Sequence, residues 1–201
     1  MNYEVFIRLL APFHAVLVHF PVAIWTTVSL VVVFRALFDG PTASAAGRVL
    51  PLLVALGVAS GIAAFAAGFF IFSLTAASAS PLIRNHILAG AWSIAYWSVF
   101  LVTVWRLGNS AWQGGNRWLM LALAGLGTLL VTVTGTVGGH IAGNPTAVSL
   151  MFDALGWNVY DTFYVPNPMV AAIAAGALGL PLIALLVRRR HHGRAVARTT
   201  D

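Results

Sequence analysis

Long apolar runs separated by short polar turns extend along the whole chain. Five runs stand out, at about 12–37, 49–73, 83–106, 117–138 and 168–187. Each holds close to the ~20 apolar residues that a helix needs to cross a bilayer. Backbone polar groups in lipid must be satisfied within the segment, so the runs predict helices. Asp39-Gly40-Pro41 closes the first run, the Ser/Ala/Thr stretch before Pro81 the second, and Gly108-Asn109 the third. The predicted fold is an all-α integral membrane protein, a four-helix up-down transmembrane bundle plus a fifth transmembrane helix. It forms a single transmembrane domain over 1–190, followed by a basic tail over 191–201. The one long connection, about 145–165, mixes Phe, Trp and Tyr with Asp. That mixture predicts a short amphipathic helix at the membrane interface, acting as an aromatic anchor or as a lid.

Composition agrees with this pattern. Of 201 residues, 60% are hydrophobic and only 8% charged, against about 25% charged in a soluble domain. Cysteine is absent, which excludes disulfides, iron–sulfur clusters, thiolate metal sites and thioether-linked haem. The net charge of +6 does not point to nucleic acid, because five of the eleven arginines crowd into residues 188–198 after the fifth run. A topology signal explains them better. Arg35 and Arg48 flank the first connection, Arg106 and Arg117 the third, and Arg188, Arg189, Arg190, Arg194 and Arg198 follow the fifth run. These nine face two, Arg8 and Arg84, on the other side. The excess predicts an N-terminus outside and a C-terminus inside, in a bacterial cytoplasmic (inner) membrane. The first run is too long for a signal peptide and lacks a basic leader.

Polar chemistry at membrane depth is confined to a few side chains. His14, His19, His86 and His140 lie in or beside apolar runs, and this topology puts all four near the outer face. Ionisable groups there are costly and mark functional sites. Imidazole is the commonest ligand for haem iron and other transition metals. From the helical rise, His19 would sit about 7 Å outside the bilayer centre, His14 and His86 about 14 Å, and His140 about 18 Å. His14 and His19 are about 140° apart on a regular helix, so they do not share one metal unless the helix bends. Pro21 supplies a reason to bend, since it leaves the Leu17 carbonyl without its helical donor. The leading ligand pair is His19 with His86, with His14 and His140 as alternates or as groups contacting propionates or a quinol. No acid falls inside a predicted span, which excludes a buried carboxylate proton relay.

Glycines and small residues offer two readings. Gly57, Ser60, Gly61, Ala64, Ala67 and Gly68 form a small-residue stripe that either lets helices pack closely or leaves room for a flat macrocycle. Gly135, Gly138 and Gly139 precede His140, where they would loosen the helix end for a cofactor edge or a quinone headgroup, or simply terminate it. Asn85 and Asn144 stand beside histidines, as caps and turn formers or as groups orienting an imidazole.

The stretch Phe13-His14-Ala15-Val16-Leu17-Val18-His19-Phe20-Pro21 resembles the opening signature of a bacterial family of predicted membrane proteins with a domain of unknown function. The family's usual form is His-Pro-x-x-Val-His-Phe-Pro. The histidine spacing is kept, and Ala15 stands where the proline would be. A later helix opening with His is matched by His86, and a Gly-Gly ending by Gly138-Gly139. Many members continue with Leu-Val-Tyr and then His-Gly. This chain reads His140-Ile141-Ala142-Gly143-Asn144-Pro145, which moves any role of the downstream histidine onto His140. The likeness covers roughly 10–143. It implies a bundle similar to b-type cytochromes, and some members look like partners of c-type cytochromes.

The expected function is therefore a membrane-embedded b-type haem electron-transfer protein or subunit, working between a quinone pool and an outer-side acceptor. Its cofactor would be haem b, with quinone as a further ligand. Its partners would be the lipid bilayer, other membrane subunits or a c-type cytochrome. Two alternatives stand beside it. One is a structural subunit of a larger membrane complex without its own cofactor. The other is a transition-metal protein binding or transporting zinc or copper through imidazoles alone. No independent catalytic constellation is visible.

Overall fold

The computed structural model describes residues 3–71 and 74–163, with residues 168, 171, 172, 175 and 179. Apart from those isolated positions, the run at 168–187 and the basic tail lie outside the described residues. The elements in order are α1 (Tyr3–Leu17), α2 (His19–Leu37), α3 (Pro41–Gly68), α4 (Leu74–Ala79), α5 (Pro81–Leu107), a 3-10 turn (Gly108–Trp112), α6 (Asn116–Ile141) and α7 (Ala147–Ala154). Four helical segments, Pro12–Leu37, Pro41–Gly68, Pro81–Trp112 and Asn116–Ile141, are long and apolar enough to cross a bilayer. Their outward faces carry residues such as Leu30, Leu52 and Val99, all more than half exposed. That surface suits lipid rather than water.

Helix ends follow local chemistry that hydropathy alone misses. The second span begins at Pro41 rather than near 49. Gly40 adopts a φ of 109°, which a side chain would resist. Pro41 then starts the helix, where its fixed φ helps and its missing N–H costs nothing. The same span ends at Gly68 rather than near 73, in turns that bond Phe69 N to Ala66 O (3.2 Å) and Ile71 N to Gly68 O (3.1 Å). The first span is two helices. It is interrupted at Val18, between His14 and His19 and within a turn of Pro21. The fourth span runs on as helix through Gly135, Gly138 and Gly139 to Ile141.

In the bundle, α2 packs on α3, α3 on α5, α5 on α6 and α6 back on α2. Helices α2 and α5 are therefore diagonal partners. They meet through Trp25 and Trp97, whose rings stack at 5.5 Å and 8°. Phe100 stands edge-on to Trp97 at 5.2 Å. The two indoles fill the centre, and the glycines make room for them. A Cβ at Gly61 would lie 2.9 Å from Trp25, and one at Gly127 would lie 2.7 Å from Trp97. Gly57 also lies against the Trp25 indole. The small-residue stripe of α3 thus serves packing, and an indole occupies the space a macrocycle would need there.

Hydroxyls clasp neighbouring helices. Ser29 Oγ and Thr128 Oγ1 lie 2.8 Å apart, Ser93 Oγ and Thr134 Oγ1 3.0 Å, and Tyr96 donates to the Leu123 carbonyl at 2.6 Å. Each such interhelical bond contributes about 0.6 kcal/mol in lipid. The end of the bundle away from the histidines is ionic. Asp39 meets Arg35 at 3.2 Å and Arg117 at 3.4 Å. Those guanidinium groups, Arg35 foremost, hold its carboxyl below the usual carboxylate range.

Candidate functional site: the histidine end of the bundle

His14 closes α1, His19 opens α2, His86 lies in the second turn of α5 and His140 in the last turn of α6. The up-down connections bring these four positions to one end of the bundle. Each ring is held differently.

His14 reaches across to α3, where its Nδ1 donates to the Ala64 carbonyl at 2.9 Å. His86 reaches across to α6, where its Nδ1 donates to the Thr134 carbonyl at 3.1 Å. Both rings are half-buried. A carbonyl can only accept, so each bond fixes the proton on Nδ1 and leaves Nε2 with a free lone pair. Each ring also rests on a glycine. A Cβ at Gly68 would come 3.2 Å from His14 Cε1, and one at Gly138 would come 2.8 Å from His86 Cε1. The two imidazoles are presented at the same end of the bundle, from α1 and α5. Among the described residues, no hydrogen bond engages Nε2 of either ring.

His19 has a different setting. It is exposed, and its Nδ1 donates at 2.5 Å to the Ala15 carbonyl one turn back. The break at Val18 does not bring it to the α3 surface that holds His14. His140 pairs with a residue that sequence reasoning missed. Its Nδ1 lies 2.6 Å from the Tyr160 hydroxyl, with the two rings edge-on at 5.1 Å. Among the described residues, its Nε2 is buried without a partner. Nothing in the sequence pattern joined Tyr160 to His140, beyond the presence of a phenol in the outer connection.

That connection folds down onto the same end. Phe152 stacks on Trp157 at 4.6 Å and is buried with Val159. Leu150, Met151 and Leu155 point outward, as an interfacial segment requires. Asn85 does not orient a ring. It is buried and donates to the Thr162 carbonyl at 2.8 Å, tying the connection to α5. Asn144 donates to its own turn at Ala142.

No family model, curated protein or solved structure matches this chain. The site therefore has to be judged on its donors. Among the described residues, no three His, Asp or Glu side chains converge to hold a metal ion. A zinc centre with three or four protein ligands has no ligand set there. A two-imidazole site needs less. Metal-bound histidine characteristically donates its other ring N–H to a carbonyl or carboxylate, which fixes tautomer and ring orientation. His14, His19 and His86 all have that support, but only His14 and His86 are half-buried against a neighbouring helix, so it is their donor chemistry that fits axial ligation of haem iron.

Proposed function

We propose that this chain is a multi-pass protein of the bacterial cytoplasmic membrane that carries one b-type haem near the outer face and serves electron transfer. His14 and His86 would hold the iron through Nε2. The observation that carries the reading is the pair of Nδ1–H bonds to the Ala64 and Thr134 carbonyls at one end of the bundle. A haem there would supply a one-electron carrier within the membrane. The two carbonyls hold the imidazoles in the ligating tautomer, and Gly68 and Gly138 let the rings seat against α3 and α6. The Trp25–Trp97 stack fills the centre of the bundle between α2 and α5. The arginine asymmetry supports an outside N-terminus, a fifth span over 168–187 and a cytoplasmic tail. The likeness of Phe13–Pro21 to the family signature adds to the haem reading. A c-type cytochrome or a further membrane subunit would meet the outer end.

One observation favours a second reading, a structural subunit without a cofactor. The bundle centre is already filled by two indoles, so folding needs no prosthetic group. Absorption spectroscopy on protein purified from haem-supplied cells separates the two. The haem reading expects a Soret band with reducible α and β bands, lost in His14→Ala and in His86→Ala and retained in His19→Ala. A colourless wild type supports the structural subunit. Loss in His19→Ala with retention in His14→Ala would move the pair to His19 and His86.

A further inference from the structure

Four guanidinium groups gather at the end of the bundle away from the histidines, and they are not equivalent. Arg35 and Arg117 are largely buried, with side chains 13% and 25% exposed, and share the Asp39 carboxylate. Arg35 also lies over the Trp112 ring at 5.5 Å. Gly47 lets α3 close on that pair, since a Cβ there would stand 3.4 Å from both Arg35 Cδ and Trp112 Nε1. Arg48 is the residue after Gly47, and Arg106 lies in the last turn of α5, just ahead of the turn that carries Trp112. Both are exposed, and among the described residues neither side chain has a hydrogen bond, ion pair or ring contact.

The charge at this end has one sign. Among the described residues Asp39 is its only acid, because Glu4 belongs to α1, Asp153 to α7 and Asp161 to the outer connection. Four arginines against one carboxylate leave a net charge of +3. Two neighbours set the depth of this rim. Trp105 precedes Arg106 and Trp118 follows Arg117, and both indoles are more than half exposed. Exposed tryptophans at the ends of spans sit at headgroup level, so the guanidinium groups beside them meet phosphates rather than acyl chains.

A topology signal needs only charge in the nascent chain. The folded arrangement adds a surface, since Asp39 engages the buried pair and leaves Arg48 and Arg106 to a ligand of opposite sign. We infer that this rim binds anionic phospholipid headgroups of the leaflet it meets, with Arg48 and Arg106 as the principal contacts. An anionic lipid brings a whole negative charge, whereas a choline lipid brings its own cation and gains little. Each arginine near such a surface is worth about fivefold in affinity. The binding requires neither haem nor a particular orientation of the bundle.

The test is quenching of tryptophan fluorescence by brominated lipids, with the full chain reconstituted in mixed bilayers of phosphatidylcholine and phosphatidylglycerol of matched acyl chains. Brominated phosphatidylglycerol should occupy the quenching sites about tenfold more strongly than brominated phosphatidylcholine. Arg48→Gln and Arg106→Gln should each lower that preference about fivefold, and the double variant should show none. Arg48→Lys with Arg106→Lys keeps the charge and should keep the preference. Both positions are exposed, so every variant should melt in detergent as the wild type does. Salt provides a check that needs no variant. At about 1 M the screening length falls to about 3 Å, and the wild-type preference should vanish. Equal quenching by the two lipids in the wild type would overturn the assignment and leave the arginines as an insertion signal alone. So would a preference undiminished in the double glutamine variant, or one that survives the salt.

Discussion

A methyl group added at Gly138 would land 2.8 Å from Cε1 of His86, closer than real side chains approach. The ring would have to leave α6, and its bond to the Thr134 carbonyl would go with it. Gly138→Ala should therefore destabilise the protein by about 1–3 kcal/mol, the usual range for overpacking. Gly125, on the same helix, is exposed and meets nothing within 4 Å among the described residues. Gly125→Ala should be neutral or stabilising by about 0.5–1 kcal/mol, because alanine loses less entropy in a helix. Unfolding of both variants in one detergent provides the comparison. If Gly138→Ala is as benign as Gly125→Ala, His86 is not seated on α6. The four histidines were legible in the sequence as the polar set of one end. Their partners were not, because Ala64 and Thr134 act through backbone carbonyls and Tyr160 lies beyond the helices.

At the scale of elements, the break at Val18 divides the first span into α1, which packs on α3, and α2, which joins the bundle. Pro21 has no N–H for the Leu17 carbonyl, and its ring crowds that turn. Spin labels at Leu9→Cys and Leu30→Cys would test whether the span bends at this break. Both positions are more than half exposed, and the chain has no native cysteine to interfere. A straight helix would separate these α-carbons by about 32 Å. The wild type should fall short of that, and Pro21→Ala should approach it as α1 and α2 join. A distance unchanged by Pro21→Ala would show that the proline does not set the path of the chain at the break. The break could be anticipated because proline acts locally. The indole stack could not, because Trp25 and Trp97 are joined only by diagonal packing that no helical period encodes. The same long-range contact decides between the two readings of Gly57 and Gly61.

For the whole molecule, hydropathy was enough to find four spans, since length and apolar content are the bilayer's main demands. Which end faces out is a separate question, carried by the arginines. Arg35, Arg48, Arg106 and Arg117 gather at the end opposite the histidines, two of them around Asp39. Arginine near span ends is retained on the cytoplasmic side during insertion, and acidic residues contribute little to the choice. The histidine end should then face outward, open to a soluble redox partner. Single cysteines at Ser78 and Ser110 test this, since both residues are exposed and lie at opposite ends of α5 with its flanking turns. In intact spheroplasts a membrane-impermeant maleimide should label Ser78→Cys at once, and Ser110→Cys only after permeabilisation. The reverse pattern would turn the bundle over. It would put His14 and His86 beside the cytoplasm and leave a periplasmic cytochrome without access to them.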